Sequence, residues 1–136
     1  MCRLNMTDES TMREIVLRYF RCLDSEDWEG MAEIWCEDGV LRAVGARRRD
    51  DRNAVIGYFR KLFTPWVKHE DKPTRLVISE RDQTVVAEVT FTGTTQQGRD
   101  VDFDAVDVFD FRDGRIAKLS NWYDIDYARK VIAAGA

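Results

Sequence analysis

Apolar side chains in the first half of the chain recur at helical spacing. From Thr11 to Leu23 they fall at Met12, Ile15, Val16, Tyr19 and Leu23, with Phe20 beside them, the stripe of one helix face. Thr7 or Thr11 stands where a cap is needed, and Thr11 forms a capping box with Glu14. A second helix is predicted from about Asp27, with Trp28, Met31, Ala32 and Trp35 on one side, stopping before Gly39. A third starts near Asp51 and aligns Val55, Tyr58, Phe59, Leu62, Phe63 and Trp66, with Pro65 marking its end.

After Pro73 the period falls from 3.6 to 2. Strands are predicted at Thr74 to Ser79 and Thr84 to Thr94. The turn Gln96-Gln97-Gly98 then leads into a strand from about Asp100 to Phe111. Asp113-Gly114 signals a hairpin into a last strand from Arg115 to Tyr123. A short strand near Val40 to Val44 joins the sheet, and a short helix runs from Tyr127 to Ala134. Helices gathered before a meander predict an α+β fold, helices packed on one face of a curved antiparallel sheet.

The informative residues are polar ones on apolar faces, because burying them costs free energy unless they are paired or used. In the strand at 101–111 the odd positions are Val101, Phe103, Ala105, Asp107, Phe109 and Phe111, with Asp107 the single acid. The even positions, Asp102, Asp104 and Asp110 with Val106 and Val108, form a mixed outer face. Burial among phenylalanines pushes a carboxyl towards its neutral, hydrogen-donating form, unless a backbone amide or an arginine holds it. Tyr19 lies on the core stripe of the first helix, and Asn121 shares the inner face of the last strand with Ala117, Leu119 and Tyr123. A packed tyrosine and a backbone-bonding asparagine are the plain alternatives. Three polar groups entering one apolar space describe a lined cavity better than a solid core.

Composition narrows the class. A chain of 136 residues suits one domain spanning 1–136, and 44% hydrophobic with 34% charged residues excludes a disordered one. No apolar run approaches the roughly 18 residues of a membrane span. The start, Met-Cys-Arg-Leu-Asn-Met, lacks an apolar run behind its arginine, so no secretory leader is expected. A net charge of −4 gives no electrostatic reason to bind nucleic acid. The basic run Arg47-Arg48-Arg49 before Asp50 and Asp51 reads as a solvated loop or as an electropositive rim that attracts an anionic substrate. Cys2, Cys22 and Cys36 are odd in number and lack C-x-x-C spacing, which points to idle thiols in a reducing, cytoplasmic setting. A lone His69 rules out a multi-histidine metal site, and no phosphate loop or nucleophile elbow is present, so no metal or cofactor is expected. His69, Glu70 and Asp71 fall in a polar loop on this reading, and Asp24, Glu26 and Asp27 read as helix-start residues.

Two stretches carry a family resemblance: R-Y-F-R-C-L-D-S-E-D-W-E-G-M-A-E-I-W-C-E-D-G-V from Arg18 to Val40, and V-D-V-F-D-F-R-D-G-R-I from Val106 to Ile116. With Asn121-Trp122-Tyr123-Asp124 they resemble the nuclear transport factor 2-like superfamily, nearest its SnoaL-like and ketosteroid-isomerase-like enzymes. The resemblance implies a cone, in which a curved sheet wraps a deep apolar pocket closed by helices. It is specific for the fold and weak for the reaction, since such folds host many chemistries. In ketosteroid isomerase a tyrosine and a protonated aspartic acid form an oxyanion hole. Here Tyr19 matches that tyrosine, and Asp107 matches that acid in V-D-V-F against the family's I-D-H-F. The family's general base falls near Ala43 and its supporting tyrosine at Phe59. In limonene-epoxide-hydrolase-like enzymes an acid of the last strand positions water. Asn121 stands there, and their Arg-x-Asp pair is absent around Glu88 to Phe91. Scytalone-dehydratase-like enzymes show a similar D-S-x-D-W around Asp24, with two histidines where this chain has His69.

The implied protein is a cofactor-free isomerase, dehydratase or cyclase of secondary metabolism. Its substrate would be a hydrophobic, oxygenated small molecule (polyketide, terpenoid or steroid-like) that reacts through an oxyanion-stabilised enol. Tyr19 and Asp107 would donate to the oxyanion, and Asn121 would orient the substrate. Phe59, Phe63, Trp66, Phe109 and Tyr123 would line the site, with Asp24 and His69 as candidate bases. The alternatives are an epoxide-hydrolase-like enzyme and a non-catalytic ligand-binding or dimerisation module. Val86, Thr90, Thr92, Val106, Val108 and Trp122 make the outer sheet face more apolar than a solvated face needs, which predicts a homodimer.

Overall fold

The computed structural model describes residues 6–133, so the chain start with Cys2, and Ala134, lie outside the described residues. Helices α1 (Glu9–Ser25) and α2 (Trp28–Ile34) form where the apolar stripes place them. Each begins on an aspartate rather than a threonine: Asp8 Oδ1 accepts from the Thr11 amide at 2.7 Å, and Asp27 Oδ1 from the Gly30 amide at 3.0 Å. A carboxylate suits the positive end of a helix, which corrects the expected caps at Thr7 or Thr11. Thr7 is buried instead, and its backbone bonds the Gln83 side chain. Of the three acids read as helix-start residues only Asp27 is one; Asp24 lies inside α1 and Glu26 is its left-handed C-cap.

Trp35 does not continue α2 but opens β1 (Trp35–Ala43). The guanidinium of Arg52 takes the Ala32 carbonyl at 3.2 Å and the Trp35 carbonyl at 3.5 Å, satisfying groups that a longer helix would have used. A two-residue β2 (Arg49–Asp50) emerges from the arginine-rich run, followed by α3 (Arg52–Leu62) on its cap Asp51. Trp66 leaves the helical stripe to begin β3 (Trp66–Ser79), which corrects the strand start expected at Thr74. Pro73 is tolerated because β3 is an edge strand with a register shift between Pro73 and Arg75.

The sheet closes with β4 (Thr84–Thr95), β5 (Asp100–Arg112) and β6 (Arg115–Tyr123). The β5–β6 hairpin turns on Asp113 and Gly114, both at positive φ (53° and 77°), as a two-residue hairpin of this type requires. The six strands run β2-β1-β6-β5-β4-β3. β1 pairs with β6 in parallel, so the sheet is mixed rather than antiparallel throughout. A bulge in β6 sets Asp110 opposite Lys118 but Phe111 opposite Ile116. Ile116 therefore takes the inner place expected of Ala117 and is fully buried.

The sheet is curved and unclosed, with α1 packed on β3, α3 on β1 and the last helix α4 (Ile125–Ala133) on β5. Trp35, Phe109, Met12, Met31 and Leu41 are the largest fully buried side chains. Cys22 and Cys36 are buried and unbridged. Among the described residues no helix is long and apolar enough to cross a membrane.

Candidate active site

A cavity of about 130 Å³ lies between the inner sheet face and helices α1, α3 and α4. Tyr19, Phe59, Phe63, Trp66, Asp107, Asn121 and Tyr123 all line it, so seven of the expected residues meet in one space. Phe109 does not. It is fully buried behind Tyr19, edge to face at 5.0 Å, and fixes that ring instead of meeting a ligand. Phe91 and Phe103, which sequence reasoning passed over, complete an aromatic wall. Ring centroids run Trp66 to Phe91 at 4.9 Å, Phe91 to Phe103 at 4.9 Å and Phe103 to Tyr123 at 5.1 Å. Their signal was the alternation of strands β4 and β5.

The floor is one row across the sheet. Ala87 faces Asp107, Asp107 faces Asn121, and Asn121 faces Ala43. Asn121 Nδ2 donates to Asp107 Oδ1 at 2.6 Å. Burial pushes the Asp107 carboxyl up to about 6, while the amide of Asn121 pulls it down by bonding the ionised form. At neutral pH such a group is mainly a carboxylate. Burial favours the neutral donor expected of Asp107, and the bond from Asn121 favours the ionised form. Tyr19 is 2% exposed, and burial first, then the charges of Asp107, Asp71 and Asp24, push its phenol well above the ordinary range. It remains a neutral hydrogen-bond donor across physiological pH.

Asp71 is the residue that sequence reasoning missed. The segment 68–72 is not a polar loop but the first half of β3, in which Asp71 pairs with Phe91 and lines the cavity. Burial, then the charges of Asp107, Asp24 and Glu70, push its carboxyl well above the usual range. Every one of these influences acts upward. Its signal was a hidden alternation, with His69, Asp71 and Pro73 on one face and Lys68, Glu70 and Lys72 on the other.

Asp24 and His69, the expected bases, do not line the cavity. Asp24 Oδ1 accepts from the Asp71 amide at 2.8 Å and so fastens the end of α1 to β3. Burial raises its carboxyl and the Asp71 amide lowers it. His69 is no loop residue. Its ring stacks on Phe63 at 3.8 Å, its Nε2 lies 3.1 Å from Glu26 Oε2, and its buried Nδ1 has no partner among the described residues. Among the described residues no group of three or more histidine, cysteine or acidic side chains is spaced to hold a metal ion.

The family model of the SnoaL-like domain matches residues 16–119. The chain belongs to the SnoaL-like family. No curated protein matches its sequence. Solved structures do match this SnoaL-like chain. A protein from Jannaschia sp. CCS1, assigned as a SnoaL-like polyketide cyclase, is 18% identical over 98% of each chain with a TM-score of 0.85. An LEH-like epoxide hydrolase of M. tuberculosis is 22% identical, covering 93% of this chain and 92% of its own, at 0.77. SalBIII, an epoxide hydrolase/cyclase-like enzyme in pyran ring formation in salinomycin, is 25% identical over 88% of this chain and 95% of its own, also at 0.77. These proteins, one assigned as a polyketide cyclase and two epoxide-hydrolase-like, share the fold found here.

Proposed function

We propose that the protein is a cofactor-free enzyme that moves protons on a hydrophobic, oxygenated small molecule of polyketide, terpenoid or steroid-like kind. The reaction is an isomerisation, dehydration or cyclisation through an enol. One observation carries the reading: two carboxyls, Asp107 and Asp71, open into one apolar cavity beside Tyr19, and burial raises both. Asp107, ionised at neutral pH and oriented by Asn121, takes a proton from the carbon beside a carbonyl. Asp71, in its protonated form, delivers its own proton to the enol carbon, Tyr19 bonds the enolate oxygen, and proton exchange of both carboxyls with water at the cavity mouth resets the pair. The base therefore comes from β5 and not from the position of Ala43. The aromatic wall excludes water and holds the rings.

The test needs no knowledge of the natural substrate. In D₂O the wild type is expected to exchange the α-protons of 2-tetralone faster than buffer does, followed by proton NMR. No exchange, with 2-naphthol still binding in the cavity, would sink the enzyme reading in favour of a ligand-binding module. An epoxide-hydrolase-like reading uses the same acids, Asp107 activating water and Asp71 protonating the epoxide oxygen. Hydrolysis of cyclohexene oxide without tetralone exchange would favour it.

The protein also works as a homodimer on this proposal. Trp122 and Val106 on the outer sheet face are 46% and 36% exposed, beside Val86, Val108, Thr90 and Thr92. Light scattering at micromolar concentration is expected to give twice the chain mass, and Trp122→Lys to return a monomer. A monomeric wild type would dispose of this.

A further inference from the structure

Two arginines that the chemistry above leaves idle stand beside residues around the cavity. Arg49 of β2 lies over the ring of Tyr58, its guanidinium carbon 5.0 Å from the centroid, and Tyr58 lines the cavity from α3. Arg129 follows the lining residue Ala128 on α4. One of its terminal nitrogens lies 3.3 Å from the place a Cβ on Gly45 would occupy, so it sits against the turn leaving β1. Burial raises the phenols of Tyr58 and Tyr123. Arg49 offsets part of the rise at Tyr58, and Arg129 part of it at Tyr123. Each arginine is therefore within electrostatic reach of a tyrosine that lines the cavity.

Neighbouring carboxylates leave these arginines without an ion pair, although one terminal nitrogen of Arg49 donates to the Arg47 carbonyl. Arg48 is paired with Asp50 at 2.8 Å, Asp51 caps the Ala54 amide and Asp124 caps the Tyr127 amide. Among the described residues no carboxylate lies within ion-pair distance of Arg49 or Arg129. At the floor the sign reverses, since the carboxylate of Asp107 repels an anion there. We propose that Arg49 and Arg129 form a carboxylate-binding rim, so that the ligand of this cavity is an amphipathic acid held with its carboxylate at the mouth. Its rings lie along the aromatic wall, and its enolisable oxygen reaches Tyr19. Arginine suits the task because its planar fork matches both oxygens of a carboxylate.

This rests on the cavity being the ligand site, and the test keeps the two apart. Binding of 2-naphthol and of 6-hydroxy-2-naphthoate is measured by fluorescence titration at low and high salt. The wild type is expected to hold the acid about tenfold more tightly than the naphthol, with a preference that shrinks as salt rises. The double variant Arg49→Gln/Arg129→Gln should lose that preference and still bind naphthol, each single variant should lose part, and Arg48→Gln should keep all of it. Naphthol bound with the acid no tighter, or a preference surviving in the double variant, overturns the rim and leaves the cavity reading standing. Acid bound through the arginines with no naphthol binding supports the rim and removes the phenol site. Binding of neither probe overturns both.

Discussion

Asp107→Asn is expected to make the protein more stable at pH 8 and nearly inactive. The carboxyl titrates at about 6 in the folded chain against a reference of 3.8. Between these values the folded state keeps a proton that the unfolded state has lost, so stability falls as pH rises through that window. The cost is absent below the lower value and complete above the higher one, at about 3 kcal/mol from the size of the shift. Asparagine never ionises, so the variant should gain roughly that amount at pH 8, with the gain fading towards pH 4. Carboxylates held low by hydrogen bonds, such as Asp8 and Asp82, have the opposite slope in both proteins and cancel in the difference. Urea melts at both pH values measure it, and Asp107→Leu should likewise keep or raise stability. α-Proton exchange should drop by about 10²–10⁴, the usual worth of a general base. A loss of stability of about 3–5 kcal/mol at both pH values would instead mark Asp107 as half of a structural pair.

The second large effect belongs to Asp71. Exchange by the wild type should rise through about pH 6 as Asp107 ionises, then fall at higher pH as Asp71 loses its proton. The two carboxyls titrate as a pair, in which the amide of Asn121 holds charge at Asp107 while burial and the neighbouring acids disfavour it at Asp71. Asp71→Asn should lower the rate by about 10²-fold and abolish the alkaline limb, leaving the rise near pH 6 in place. An alkaline limb that survives the substitution would transfer the acid role to another group, Tyr19 first.

Much of this arrangement is legible in the sequence wherever one face of an element is apolar. The alternation of β5 isolates Asp107, and the α1 stripe places Tyr19 on the core side. Reading fails where tertiary contacts override the local period. Trp28, Met31, Ala32 and Trp35 have helical spacing, yet pairing with β6 and the reach of Arg52 draw Trp35 into a strand. The β6 bulge shifts the inner face by one residue, and no sequence signal marks it. β3 hides most completely. Its inner positions before Pro73 are His69 and Asp71, so the face that should look apolar looks polar. The buried acid conceals its own strand.

The parallel pairing of β1 with β6 also governs when the site can exist. It joins Ala43 to Asn121, about 80 residues along the chain, and closing such a loop is the slow kind of step in folding. During synthesis β4 and β5 are complete before β6 emerges, with Phe109 and Phe111 on their inner face and β5 as an open edge. A ribosome-bound chain that stops before Arg115 has Asp107 without Asn121 beside it, and nothing holds that carboxylate in place. Such a fragment is expected to aggregate through its bare strand rather than bind a ligand. The last strand to be made therefore both covers the edge of β5 and supplies the amide that orients Asp107.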